Sequence, residues 1–226
     1  MGYYAEHLSG ERLRECYEIA PPRVKRFLEE EIRQTLGRVR PEDAVLDLGC
    51  GYGRVALRLA SVADRVVGID TSSESVAMAQ ALAGSSPNIE FHEMDALDLT
   101  FSDATFDVVA CVQNGICAFG VDQLRLVREA VRVTRPGGRI LFSSYSARFW
   151  QHRLAWFELQ AERGLVGEID YGATGDGVIV CKDGLRLGAM TQEGFKRLCE
   201  GVGLTCSTVE VDNSSLFCEI AVPSTA

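Results

Sequence analysis

Five short apolar runs, AVLDL, RVVGID, IEFHEM, FDVVACV and RILFSSY, recur between Pro41 and Tyr145, separated mostly by stretches long enough for a helix. Strands that alternate with helices cannot pair as hairpins, so the pattern predicts crossover connections and a parallel, doubly wound sheet. Local chemistry punctuates it. Thr71 and Glu74 form a capping box that opens the second helix of this region, and Gly84 closes it. Pro136-Gly137-Gly138 predicts a turn before the fifth strand.

The flanks have other periodicities. Leu8, Leu13 and Ile19, a break at Pro21-Pro22, then Val24, Phe27, Leu28, Ile32 and Leu36 with a stop at Gly37 make residues 1–40 helical. In the tail, VIVCKDGLRLGAMT reads as a hairpin about Lys182-Asp183-Gly184 and QEGFKRLCEGVG as a helix. LTCSTVEV and SLFCEIAV read as two strands joined at Asp212-Asn213. An antiparallel pair is thereby added to a parallel sheet.

The first apolar run leads into VLDLGCGYGR, which sets Asp47, Gly49, Gly51 and Gly53 at a strand's carboxyl end, where glycine permits a sharp turn and close approach of a ligand. A dinucleotide fingerprint would need glycine where Arg54 stands, and a phosphate-gripping loop would need a GK[ST] ending. The D-x-G-x-G-x-G spacing resembles motif I of the class I S-adenosylmethionine-dependent methyltransferases, in which an acid before the first glycine suits an ammonium group. That resemblance covers residues 41 to about 145. It implies a Rossmann-like α/β fold: a doubly wound seven-stranded sheet, mostly parallel with an antiparallel last strand, with helices on both faces.

It also implies S-adenosylmethionine as cofactor and a set of site residues. Asp47, Gly49, Cys50, Gly51 and Gly53 would cradle the amino acid end. Asp70, followed by Thr71, would accept the ribose hydroxyls, with Thr71 rather than Asp70 serving as the helix cap. Asp95 would take the adenine amino group and the N–H of Ala96 a ring nitrogen. Backbone near Val112 and Gln113 would meet the cofactor's amino end, leaving Asn114 turned toward the acceptor. By the same likeness the chain is one domain over 1–226: a helical lid (1–40), a cofactor-binding core (41–145), a substrate-side helix and hairpin insertion (146–190), and a C-terminal helix with its strand pair (191–226).

The reaction implied is in-line displacement on an activated methyl, for which alignment and exclusion of water suffice and a dedicated base is optional. After the fourth strand the chain reads CVQNGICAF, without the Asn-Pro-Pro-aromatic box of enzymes that methylate planar nitrogens. It partly resembles the C-x-x-N-S-x-x-H segment of glycine- and sarcosine-type N-methyltransferases: Asn114 and Gly115 fit, while Ala118 replaces the histidine. A small nucleophile (N, O or S), an amine or amino-acid-like molecule among them, is the expected acceptor. Tyr4 and Arg148 are the substrate-positioning candidates, with Tyr3, His7, Tyr145, Trp150 and His152 near them. A protein or RNA methyltransferase, and a protein that binds the cofactor without transfer, stay open as alternatives.

Net charge of −9 with scattered basic residues argues against a nucleic-acid face. No apolar run reaches the roughly 18 residues of a membrane span. MGYYAEHLSG lacks a signal-peptide pattern, and Glu6 stands where myristoylation needs Ser or Thr, so a cytoplasmic protein is expected. Eight cysteines without a CxxC pair predict reduced, buried thiols and no metal, the pair Cys111 and Cys117 included.

Overall fold

The computed structural model describes residues 2–224; Met1, Thr225 and Ala226, at the outer ends of the expected lid and C-terminal segments, lie outside them. Three helices come first: α1 (Tyr3–His7), α2 (Gly10–Glu18) and α3 (Pro22–Leu36). The alternating region follows as β1 (Ala44–Leu48), α4 (Ala56–Leu59), β2 (Arg65–Asp70), α5 (Ser73–Ala83), β3 (Ile89–Glu93), β4 (Phe106–Cys111), α6 (Gly115–Ala118), α7 (Gln123–Val133) and β5 (Thr134–Tyr145). The chain continues through α8 (Trp150–Glu162), a small hairpin of β6 (Ile179–Val180) and β7 (Arg186–Leu187), α9 (Gln192–Glu200), β8 (Ser207–Val211) and β9 (Ser215–Ala221).

Seven strands form one sheet in the order β3-β2-β1-β4-β5-β9-β8. The first five run parallel, and β9 lies antiparallel to both β5 and β8. This is the doubly wound sheet with an antiparallel last strand that the pattern predicts. Strand order reverses between β1 and β4, so their carboxyl ends diverge and leave a crevice there.

Strand alternation divides the core. Leu46, Leu48, Val109 and Ile140 face the layer carrying Leu126 and Ala130 of α7 and Phe195 of α9. Val45, Val66, Val108 and Leu141 face Ile32 of α3, Leu59 of α4 and Ala79 of α5. A third cluster joins Leu8, Phe27, Phe149, Trp156, Ile179 and Leu187. It fastens the N-terminal helices, α8 and the small hairpin to one another, roofing the crevice.

Three local expectations change. The cap of α5 is Ser72, whose hydroxyl accepts from the Ser75 amide at 3.2 Å, while Glu74 is taken by Ser9; Thr71 therefore does not cap. The stretch after β1 is turns around the one-turn helix α4 rather than a long helix. Pro136-Gly137-Gly138 lies inside β5 as a bulge: Phe106 pairs with Thr134, but Val108 pairs with Arg139. Gly137 has φ 82°, and past the bulge alternate residues serve the two core layers, Ile140 and Phe142 one and Leu141 the other.

Candidate active site

A cavity of about 480 Å³ occupies the crevice beneath α1 and α2. On its floor Asp47, at the end of β1, is 2% exposed, with Oδ2 lacking any hydrogen-bond partner. Burial, reinforced by the nearby Asp70 charge, pushes its carboxyl up to about 7. The turn that follows needs glycine for distinct reasons. Gly49 has φ 70° and a Cβ there would sit 2.3 Å from the Phe119 ring. At Gly53, with φ 89°, a Cβ would sit 3.0 Å from the Phe91 ring and 3.2 Å from Ala79; it brings the chain close to β3 and α5 and does not line the cavity. Its place in the expected cradle is thus a packing one.

Asp70, at the end of β2, accepts the Gly51 amide on Oδ2 and the Ser72 amide on Oδ1, both at 2.9 Å. A carboxylate has about four acceptor positions, so capacity remains for a ligand. Thr71 lines the wall beside it. Asp95 lies on the rim with Ala96, and its Oδ1 accepts the Leu97 amide at 2.8 Å.

Past β4 the backbone is left-handed twice in succession, at Gln113 (φ 59°) and Asn114 (φ 65°). Such paired positive φ values in non-glycine residues cost about 1–3 kcal/mol each and persist only where the surroundings impose them. They turn the two side chains apart. Gln113 lines the cavity beside Val112 with Nε2 buried and unpartnered, while its amide N–H is already donated to Ser143 Oγ at 2.7 Å. Asn114 turns the other way. It is 1% exposed, donates to the Gly188 carbonyl at 3.1 Å and accepts the Ser144 hydroxyl at 2.6 Å. It does not line the cavity, so the expectation that it faces an acceptor is corrected: it pins β5 to the segment after β7.

Arg148 is corrected likewise. Its side chain is 69% exposed and pairs with Glu210 at 3.1 Å and Asn213 at 2.7 Å, away from the cavity wall. Tyr4 does line the cavity. Cys111 is fully buried in β4 and Cys117 lies 3.9 Å from Gln123 Nε2. Elsewhere the Sγ atoms of Cys199, Cys206 and Cys218 lie within 4.8 Å of one another, a thiol cluster drawn from α9, the loop before β8, and β9.

Several wall residues had no sequence signal except position. Arg54 stacks 4.5 Å over the Tyr17 ring, with Nε and Nη2 buried and unpartnered; its place straight after the glycine loop was the available hint. Glu31 of α3 lies behind the wall rather than on it: fully buried, it accepts the Ser215 hydroxyl, and burial pushes it up to about 7. Gln160 of α8 is 2% exposed, lines the cavity, and leaves Nε2 unpartnered.

The roof is tied down by polar bonds. Ser9 donates to Glu74 at 2.9 Å, the Gly10 amide to Ser75 Oγ at 3.0 Å, and Arg12 to the Gly164 carbonyl at 2.8 Å. Trp156 Nε1 donates to the Cys16 carbonyl at 2.9 Å, joining α8 to α2.

A seven-stranded sheet of this order, with an acid and a glycine turn after β1 and acids after β2 and β3, is the arrangement that the sequence likeness to class I S-adenosylmethionine-dependent methyltransferases implies. Residues 45–138 match the family model described as a methyltransferase domain. Among curated proteins, a 111-residue stretch is 35% identical to the 27-O-demethylrifamycin SV methyltransferase of Amycolatopsis mediterranei (strain S699). That match takes in 47% of this chain and 40% of the relative, so the chain spans less than half of that relative's length.

Solved structures agree on the fold. A Pyrococcus horikoshii OT3 protein superposes with TM-score 0.67 at 23% identity, over 89% of this chain and 92% of its own. The N-methyltransferase NodS of Bradyrhizobium japonicum WM9, solved with S-adenosyl-L-homocysteine, gives TM-score 0.60 at 19% identity, over 95% and 97%.

Proposed function

We propose that this protein transfers the methyl group of S-adenosylmethionine to a small-molecule nucleophile. The observation that carries the reading is the pair of unsatisfied, oppositely charged groups on the cavity wall, Asp47 and Arg54. Each has a buried polar atom that lacks a hydrogen-bond partner, which is costly. An amino acid end, with one ammonium and one carboxylate, complements both. Asp47 would take the ammonium, Arg54 the carboxylate, and Gln113 Nε2 a remaining oxygen. Asp70 would hold the ribose hydroxyls, and Asp95 with the Ala96 amide the adenine edge.

When bound, the cofactor supplies a methyl group activated by its sulfonium. The chain's own part is placement. Gly49 and Gly51 let the backbone approach, Phe119 covers the turn, and α1 and α2 close over the crevice and exclude water. Held by Asp47, Arg54 and Asp70, the cofactor would supply that methyl to the acceptor's lone pair, with the C–S pair returning to sulfur and the acceptor's proton going to water. A cavity roofed by helices admits a small acceptor far more readily than a folded macromolecule, in keeping with the rifamycin methyltransferase relative.

Calorimetry with S-adenosylhomocysteine tests the cradle, and incubation with methyl-labelled cofactor and a metabolite extract tests transfer. Label recovered in a small molecule supports the reading. Absence of binding overturns it, as does binding without transfer, or label in RNA or protein.

A further inference from the structure

The cavity has two chemically different parts. The cofactor side carries Asp47, Asp70 and Asp95. The far side, beneath α1, α2 and α8, is walled by Tyr4, Tyr17, Tyr145, Trp156 and Phe157, with Gln160 among them. Three of the rings pack in series: Tyr17 and Trp156 have centroids 6.0 Å apart, and Trp156 and Phe157 5.9 Å. A wall so rich in aromatic rings favours a planar apolar ligand.

Charge narrows the choice. None of these lining residues is a carboxylate, and the acid that acts on Tyr17 and Tyr145 from behind the wall, Glu31, is pushed up to about 7 by burial, so an ammonium entering this side would lose its hydration without a direct counter-ion. Behind Tyr145, at 4.4 Å from the ring, lies the guanidinium of Arg153, 1% exposed. Its hydrogen bonds go to backbone carbonyls, of Leu187 at 2.8 Å, Gly177 at 2.9 Å and Gly188 at 3.1 Å, and among the described residues it has no carboxylate within ion-pair distance. Its charge therefore has no ion-pair partner, and at the Tyr145 hydroxyl it outweighs that of Glu31, so the chamber beside Tyr145 is electropositive. Burial lowers the Arg153 pKa, while the nearby Tyr145 and Tyr4 hydroxyls oppose that shift. Within the chamber, Gln160 offers an N–H donor that meets no acceptor in the protein.

We infer that the acceptor is a planar aromatic hydroxy compound methylated on oxygen, held between the aromatic walls with a second oxygen on Gln160, and that amines and amino acids are poor acceptors. This rests on the methyltransferase reading above and names its substrate class. The hydroxyl proton leaves to water as the Arg153 field favours the oxyanion. The oxyanion's lone pair then forms the O–CH3 bond, and the C–S pair goes to sulfur; charge is annihilated in the step. A positive chamber favours such an anion and repels the ammonium form of an amine.

The test uses the full chain saturated with S-adenosylhomocysteine, whose binding is first measured alone. Probes of one shape are then titrated by calorimetry: a dihydroxynaphthalene and a naphthylmethylamine, with glycine as the aliphatic control. We expect the dihydroxynaphthalene to bind at least about tenfold more tightly than the amine, and glycine not to bind. Gln160→Leu should raise the KM for the dihydroxy compound at least about tenfold and leave S-adenosylhomocysteine affinity unchanged. Equal or tighter binding of the amine overturns the inference, and so does an unchanged KM in a folded Gln160→Leu. Should that variant not fold, the ligand comparison on the unsubstituted protein decides alone. Failure of S-adenosylhomocysteine itself to bind would instead sink the methyltransferase reading, which separates the two.

Discussion

Replacing Asp47 with asparagine should move stability and cofactor affinity in opposite directions. In the unfolded chain this carboxyl titrates near its ordinary value of about 3.9, whereas burial holds it up to about 7 in the fold. A carboxyl whose folded value is raised favours the native state fully below the unfolded pKa, and that contribution is lost as pH rises through the folded value. The loss accumulates between about pH 4 and pH 7 and, at 1.36 kcal/mol per unit over roughly three units, reaches at most about 4 kcal/mol. Asparagine keeps the shape and one acceptor oxygen but never ionises. Asp47→Asn should therefore match the wild type near pH 4 and exceed it by up to about 4 kcal/mol at pH 8, read by urea denaturation of the ligand-free protein. Affinity for S-adenosylhomocysteine should meanwhile fall by about 1.5–3 kcal/mol, the worth of a charged hydrogen bond.

In the wild type, binding should tighten from pH 6 to pH 7 as Asp47 ionises and level off above; the substitution should flatten that profile, with any residue of it reporting Glu31. A variant no more stable than wild type at pH 8, or a wild-type affinity flat across pH 6 to 8, would refute the assignment of Asp47 as the unpaired acid that meets the ammonium.

Arg54→Met should weaken S-adenosylhomocysteine binding by about 1.5–3 kcal/mol in calorimetry, yet change ligand-free stability by no more than about 1 kcal/mol, the worth of its stacking on Tyr17. Asn114→Ala should cost about 1–3 kcal/mol of stability by denaturant titration, since the Ser144 hydroxyl loses its acceptor; cofactor affinity of the folded fraction should stay unchanged. Arg148→Ala should alter stability by less than about 0.5 kcal/mol and leave methyl transfer as it was, because its partners are surface groups.

How far the site could be read in advance depended on where its residues lie along the chain. Asp47, Gly49, Gly51, Asp70, Asp95 and Ala96 sit at or just beyond the carboxyl ends of β1, β2 and β3, a location that hydrophobic periodicity reveals, and all line the cavity. Val112 and Gln113 follow from the end of β4 in the same way. Asn114 misled because the residue number specifies position but not direction; two left-handed backbone pairs in succession reversed its side chain. Arg148 misled because nothing in the sequence showed Glu210 and Asn213 beside it.

The chain's own sequence determined the alternation of strand and helix, the glycine turn and the antiparallel tail, since each depends on interactions among residues close in sequence. Tertiary structure alone decided the rest. It set Arg54 over Tyr17, buried Arg153 without an acid, and brought Gln160 across to face the helices of the first forty residues. It also gathered Cys199, Cys206 and Cys218, which no spacing announced. The physical reason is that strand and turn preferences act locally, whereas charge compensation and cavity shape depend on which distant segments the fold packs together.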